Sequence, residues 1–487
     1  MAGITSLADE ALIALDNLQD SAKNLFQPTL RLGVTGLSRA GKTVFITALV
    51  HNLLKGGRLP LFEAHASGRI AKAQLKPQPS MDVPRFAYEE HIRTLVEKRA
   101  WPDSTRAISE LRLTLHYDSA SAWSRQFGAG TLNIDIVDYP GEWLLDLPLL
   151  GMTFTEWSRQ ALDLADQKNR RPLAEKWLKL LARTDAAKEA DENRAIELER
   201  EFTAYLTACR EDETALSTLT PGRFLMPGDL KDSPALTFSP LDPGDAAKAA
   251  PNSLYALMAK RFEAYKDVVV RPFFREHFAR LDRQIVLVDP LQAINAGPEA
   301  LQDLEHALAD ILGCFRTGSS FWLPSLVVRR IDKILFAATK ADHLHHENHQ
   351  RLEEILRLLV NRAMERAHYS GAGAEVVAMA AVRATREGVV EEGGETFPVI
   401  MGEPIRGETI DGRTFDGKTQ TAVFPGDLPE DPAVLLDETG KGSIAGELRF
   451  VRFRPPKLET TAEGLTLSLP HIRLDRALEY LLGDQLA

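Results

Sequence analysis

Two cysteines in 487 residues, Cys209 and Cys314, cannot build a disulfide framework, and their spacing suits no zinc site. They fit a reducing compartment, and neither has a neighbourhood that suggests a catalytic thiol. The chain also lacks any apolar run near the ~20 residues needed to span a bilayer. It lacks an excess of basic charge: the formal net charge is −11 and the pI about 5.7. A nucleic-acid partner is therefore not expected, because such a partner needs a basic face. The first twenty residues, MAGITSLADEALIALDNLQD, have no basic segment ahead of an apolar one, so they do not form a signal peptide. A cytoplasmic location is the default. No internal repeat is visible. What remains is an ordinary globular composition, 44% hydrophobic and 26% charged, long enough for about three domains or one large α/β domain with insertions.

The most specific stretch is GLSRAGKT, residues 36–43. It follows the alternating TLRLGVT and precedes VFITALV, so a strand runs through a Gly-rich turn into a helix that turns polar at His51 and Asn52. The spacing G-x-x-x-x-G-K-[ST] is the Walker A pattern. Gly36 and Gly41 let the backbone curl so that the N–H groups of Ser38, Arg39, Ala40, Gly41, Lys42, Thr43 and Val44 can face an anion. The following helix adds the positive end of its dipole. Lys42 is expected on the β- and γ-phosphates and the Thr43 hydroxyl on Mg²⁺. The bland alternative is an ordinary Gly-rich βα turn.

A phosphate grip names no base. DYPG, residues 138–141, closes the apolar strand TLNIDIV. Asp138 can hold Mg²⁺ through water, and Gly141 can offer a backbone N–H to the γ-phosphate. TKAD, residues 339–342, closes the strand KILFAA and matches the [NT]-K-x-D pattern of GTP-binding proteins. The Asp342 carboxylate can accept from guanine N1–H and the 2-amino group, a donor pair that adenine lacks. Thr339 stands at the first position of the pattern and the Lys340 stem lies over the base. After EVVAMAA, Ala381 and Val382 fall where a backbone N–H would meet guanine O6, although the wording there departs from the usual S-A-K.

Three further residues are drawn into the chemistry. Thr105 in WPDST, with Ser104 as alternative, stands where a mobile threonine would touch Mg²⁺ and the γ-phosphate; a plain Pro-Asp turn is the other reading. Glu142 occupies the place of a water-orienting Gln, where a carboxylate would be repelled by the γ-phosphate but could still orient water, so hydrolysis is expected to be slow or to draw on another group. Arg39 and Arg106 could each bring a cation to the developing charge, or simply be solvated. One distraction is HLHHENH, residues 343–349, where His345 and His349 could share a metal. Its position after Asp342 favours a solvent-facing helix start.

Short apolar runs alternating with helical patterns predict an α/β fold with a mostly parallel sheet and one antiparallel hairpin, residues 107–117 with 131–137. The expected organisation is an amphipathic helix in 1–28, a first part of the core in 29–150, a helical insertion in 151–280, a second part of the core in 281–385, a β-rich insertion in 386–470 and a closing core helix in 471–487. The motifs come in the order of a Ras-like P-loop GTPase. GLSRAGKT, DYPGEW and FAATKAD, with the long helical insertion, resemble the YcjX family of bacterial stress-linked GTP-binding proteins. That resemblance implies a Ras-like core, GTP or GDP with Mg²⁺ as ligands, and a stress-response role. It also implies a membrane-protein partner of the YcjF kind, which would place the chain at the periphery of the inner membrane. Two other classes stay open: a P-loop ATPase or small-molecule kinase, and a nucleotide-binding scaffold without turnover.

Overall fold

The computed structural model describes residues 28–487 apart from 38, 104–106, 121–129, 213–214, 216–218, 232, 243, 245–249, 314–330, 370, 393, 411, 437–446 and 459–467. The amphipathic helix expected in 1–28, Ser38, Ser104, Thr105, Arg106 and Cys314 lie outside the described residues. The chain is α/β and divides into two compact units. One draws on Pro140–Arg280 and Glu299–Arg316, the other on residues up to Tyr139, on Leu281–Pro298 and on the chain from Thr317 onward.

The second unit is built on a seven-stranded sheet. Its strands are β1 (Thr29–Gly36), β2 (Ile70–Lys76), β3 (Ser109–Tyr117), β4 (Gly130–Asp138), β5 (Arg283–Val288), β6 (Lys333–Ala338) and β7 (Gly373–Ala378), in the order β2-β3-β4-β1-β5-β6-β7. From β4 to β7 all pairs are parallel, while β2–β3 and β3–β4 are antiparallel. The expected hairpin is β3–β4, with Ser109 opposite Asp138. Strand β2 was not legible in the sequence. Its IAKAQLK carries few large apolar side chains because it is a half-buried edge strand with no fully buried position, where lysines discourage further pairing.

The parallel strands are buried on both faces, as a sheet covered by helices must be. One face packs against the helix Lys42–Lys55 through Phe45, Ile46 and Leu49, and against the closing helix Leu474–Leu482 through Leu478 and Leu481. The first of these helices does not end where His51 and Asn52 turn the sequence polar. Both are buried: Asn52 exchanges two hydrogen bonds with the backbone of Leu469, and His51 meets the Tyr88 hydroxyl at 3.0 Å. The long helix His349–Tyr369 packs on β6 and β7. Arg283, fully buried at the start of β5, pairs with Asp332 and Asp484. Its guanidinium and Lys333 hold the Asp484 carboxyl well below the usual carboxylate range despite burial. Beyond β7 the same unit carries a small antiparallel sheet of β8 (Arg386–Glu392), β9 (Glu395–Gly402) and the strand Thr421–Val423.

The first unit is helical with an aromatic core. Thr153 and Glu156 form a reciprocal cap that starts the helix Phe154–Ala165. Trp157 stacks on Phe262, and Trp177 on Tyr205. The Pro/Gly-punctuated stretch 221–245 sends Phe224 and Phe238 into that core. Buried Arg170 pairs with Asp303 at 2.8 Å, which ties the helix Pro298–Gly313 into this unit. Cys209 is buried there, and burial pushes its thiol up to about 11, far from a reactive thiolate. Among the described residues no helix is long and apolar enough to cross a membrane.

Candidate functional site

In a parallel sheet, the loops that follow neighbouring strands emerge at the same edge. The segments after β1, β4, β5 and β6 are therefore gathered at one edge of this sheet. That edge is where open α/β folds bind ligands.

The loop after β1 is shaped by backbone rather than by side chains. Gly36 lies opposite Leu287 of β5, and a Cβ there would sit 2.5 Å from the Leu287 carbonyl oxygen, so the position needs glycine. Arg39 and Gly41 are left-handed, at φ 65° and 85°. Among the described residues, a Cβ on Gly41 would meet nothing within 4 Å, which leaves space over the turn. Gly41 caps the helix Lys42–Lys55 without a side-chain hydrogen bond, and no acidic residue stands in its first turn. A helix start of this kind, with no acidic side chain in its first turn, fits a phosphate. Lys42 Nζ donates to the Gly36 carbonyl at 2.9 Å, so its ammonium is folded over the loop. Ala40 is buried, Val44 half-buried and Arg39 exposed.

Thr43 and Asp138 are both buried, and their oxygen donors fit Mg²⁺. Asp138 lies opposite Val34 in the register, two residues before the phosphate loop begins. The Thr43 hydroxyl donates to the Asp103 carbonyl at 3.4 Å. Asp103 is two residues before Thr105 in the chain. Gly141 and Glu142 belong to the helical unit, where they open a 3₁₀ segment, Gly141–Gly151, and both are buried.

The loop after β6 is held by hydrogen bonds. Thr339 donates both its backbone N–H (2.8 Å) and its hydroxyl (3.1 Å) to the Val288 carbonyl. Lys340 is left-handed at φ 61° and its ammonium pairs with Asp289, the residue after β5. Asp342 is buried, and its Oδ2 accepts the Ala384 N–H at 2.8 Å. The Thr385 hydroxyl donates to the Asp342 carbonyl. The carboxylate is therefore fixed by the segment that follows β7. Ala381 and Val382 lie in that segment between Ala380 and Arg383, whose N–H groups donate to the carbonyls of Ile472 and Pro470. Val382 turns its side chain into the core.

Sequence reading did not pick out Asp289, Ala384 or Thr385. Asp289 had a local signal, since an Asp between a strand and a Pro caps a helix, here Pro290–Ala296. Ala384 and Thr385 had none. The solvent-facing helix start expected for HLHHENH is corrected. The helix begins only at His349, and His345, Asn348 and His349 are buried. The His349 ring donates to the Ala341 carbonyl at 2.8 Å, and burial lowers its pKa. That ring is thus committed to the loop and does not share a ligand with His345.

The chain matches the family model described as the YcjX-like family, DUF463, over residues 30–486. It is 39% identical over 470 residues to the Ras-like GTPase YcjX of Escherichia coli (strain K12), covering 94% of this chain and 96% of that protein. It is 33% identical over 498 aligned positions to the Ras-like GTPase YcjX of Shewanella oneidensis, covering 97% and 99%. The α/β fold, with its mostly parallel sheet and antiparallel β3–β4 hairpin, agrees with those relatives being Ras-like. A match that runs through the sheet, both units and the loops at the sheet edge places the chain in the YcjX-like family.

Proposed function

We propose that the protein binds GTP and GDP and hydrolyses GTP, using the loop 36–43 for the phosphates and TKAD for the base. The observation that carries this reading is the prepared Asp342. It is buried and positioned by Ala384, at the same sheet edge as an uncapped helix start with an open Gly41 turn. Lys42 would exchange the Gly36 carbonyl for the β- and γ-phosphates. Asp342 would accept from guanine N1–H and the 2-amino group. With adenine it would face no donor pair, and a buried carboxylate without its donors is costly. Thr43, Asp138 and Thr105 would hold Mg²⁺, which supplies charge neutralisation at the phosphates. Glu142 would orient the attacking water, with Arg39 or Arg106 as the cation on the developing charge. The names of the relatives support a GTPase.

Release of the γ-phosphate contacts would make the protein a switch read by its insertions. The family resemblance extends this proposal to a stress response and a membrane-protein partner. A second reading, nucleotide binding without useful turnover, is favoured by Glu142, which is buried in its 3₁₀ segment and whose carboxylate, if it faced the γ-phosphate, would be repelled by it.

Calorimetric titration with Mg²⁺ and GDP, then ADP, tests base reading. GDP is expected to bind and ADP to bind at least about a hundredfold more weakly. Asp342→Asn should lose GDP and gain xanthosine diphosphate. Equal binding of the two diphosphates would return the protein to the ATPase class. Phosphate release from GTP, abolished in Lys42→Ala, separates turnover from binding alone.

A further inference from the structure

The nucleotide reading leaves His345, His346 and Glu347 unused, and they form a cluster in the sheet unit. One donor atom from each can be chosen so that all three lie within 4.8 Å of one another. The fourth neighbour comes from β8: Glu387 Oε2 lies 2.6 Å from His346 Nδ1 and 3.8 Å from His345 Nε2. The side chain of His345 is only 10% exposed. Its Nδ1 is buried and, among the described residues, makes no hydrogen bond, although Glu347 Oε2 stands 3.4 Å away. A buried ring nitrogen without a hydrogen bond is costly. A cation coordinated there would offset that cost.

We propose that His345, His346 and Glu347, with Glu387 of β8, form a binding site for a divalent transition-metal ion of the zinc class. Two imidazoles and two carboxylates suit zinc, cobalt or nickel better than magnesium or calcium, which prefer oxygen alone. Zinc–ligand bonds of about 2.0–2.2 Å place tetrahedral ligands about 3.3 Å apart. With His345 ligating through Nδ1, its 3.4 Å separation from Glu347 Oε2 matches that value, and the 2.6 Å contact of His346 Nδ1 with Glu387 Oε2 would open by less than about 1 Å to admit the ion. Arg383 holds Glu387 by Oε1 at 3.3 Å and leaves Oε2 turned to the histidines, the kind of outer contact that orients a metal ligand.

The placement has a consequence. The cluster begins three residues after Asp342, and Glu387 follows two residues after Thr385. Ala384 and Thr385 already hold Asp342. A metal would join the same two segments a second time, clamping the start of the β-rich sheet onto the loop that carries Asp342.

The test uses the full-length chain, washed with chelator and titrated with Zn²⁺ by calorimetry without nucleotide. One equivalent is expected to bind, with Co²⁺ substituting and giving the visible absorption of a four-coordinate site. His346→Ala and Glu387→Gln should each weaken Zn²⁺ at least tenfold. Substituting exposed His368 by Ala should change nothing. His346 is mostly exposed, so its loss should leave the fold intact. Absence of stoichiometric uptake, or uptake that survives both substitutions, would overturn the proposal and leave His346–Glu387 as a simple ion pair.

Discussion

Two buried aspartates, one in each unit, are treated in opposite ways. Asp146 in the helical unit is sealed. Its Oδ1 accepts the Gly222 N–H at 2.7 Å, and its Oδ2 accepts the Tyr265 hydroxyl at 2.6 Å and the Arg223 N–H at 3.3 Å. Arg223 in turn lies 3.2 Å over the Trp143 ring. Even so, burial pushes the Asp146 carboxyl up to about 6, against the donors that favour its charge. Asp342 in the sheet unit is as buried but half-filled. Oδ2 accepts Ala384, and among the described residues no protein group donates to Oδ1. A carboxylate saturated by its own chain is a fastening. One held on a single side is prepared for a donor that the chain does not supply.

The sharpest way to break the sealed case is Gly222→Ala. A Cβ there would lie 1.8 Å from the Glu142 carbonyl oxygen, a backbone atom with little room to retreat. The substitution should lower the unfolding free energy by at least about 3 kcal/mol, read from urea denaturation. A neutral result would mean that the 3₁₀ segment and the Gly222 turn are not locked together. Asp146→Asn gives the next effect. Because the folded pKa is raised above the unfolded one, the folded state holds the extra proton between pH about 4 and about 6. The stability contribution is full below that window and lost as pH rises through it, about 3 kcal/mol in all. The pH profile of stability for Asp146→Asn should lack this fall. Parallel profiles for the two proteins would show that Asp146 is not the titrating group.

The same contrast marks what the sequence could reveal. GLSRAGKT was legible because its work is local: glycines at fixed offsets, then a helix start. The parallel strands were legible as short apolar runs between helical periods. TKAD was legible as wording, but what holds its carboxylate, Ala384 and Thr385, comes from a segment some forty residues on with no pattern of its own. His51 and Asn52 read only as a polar turn of the sequence because their partners, Tyr88 and Leu469, are far along the chain. HLHHENH looked solvated for the same reason. Stretch 221–245 is punctuated by proline and glycine like a loop, yet two of its phenylalanines fill the aromatic core. Polar residues whose partners arrive only with the fold are what a single sequence hides.

The smallest effect sharpens the half-filled case. Thr385→Val keeps the shape of the side chain and removes the hydroxyl that donates to the Asp342 carbonyl. The fold loses one hydrogen bond, worth about 1 kcal/mol, and the main chain of TKAD loses one of its tethers. If Asp342 acts as a prepared acceptor, GDP affinity should fall about fivefold by calorimetry while phosphate-only contacts persist. The preference for GDP over ADP should shrink with it, because the loss concerns the base and not the phosphates. A variant that loses stability but keeps its full preference for GDP would show that TKAD is oriented from within its own loop. Thr385 would then be one more fastening, like the groups that seal Asp146.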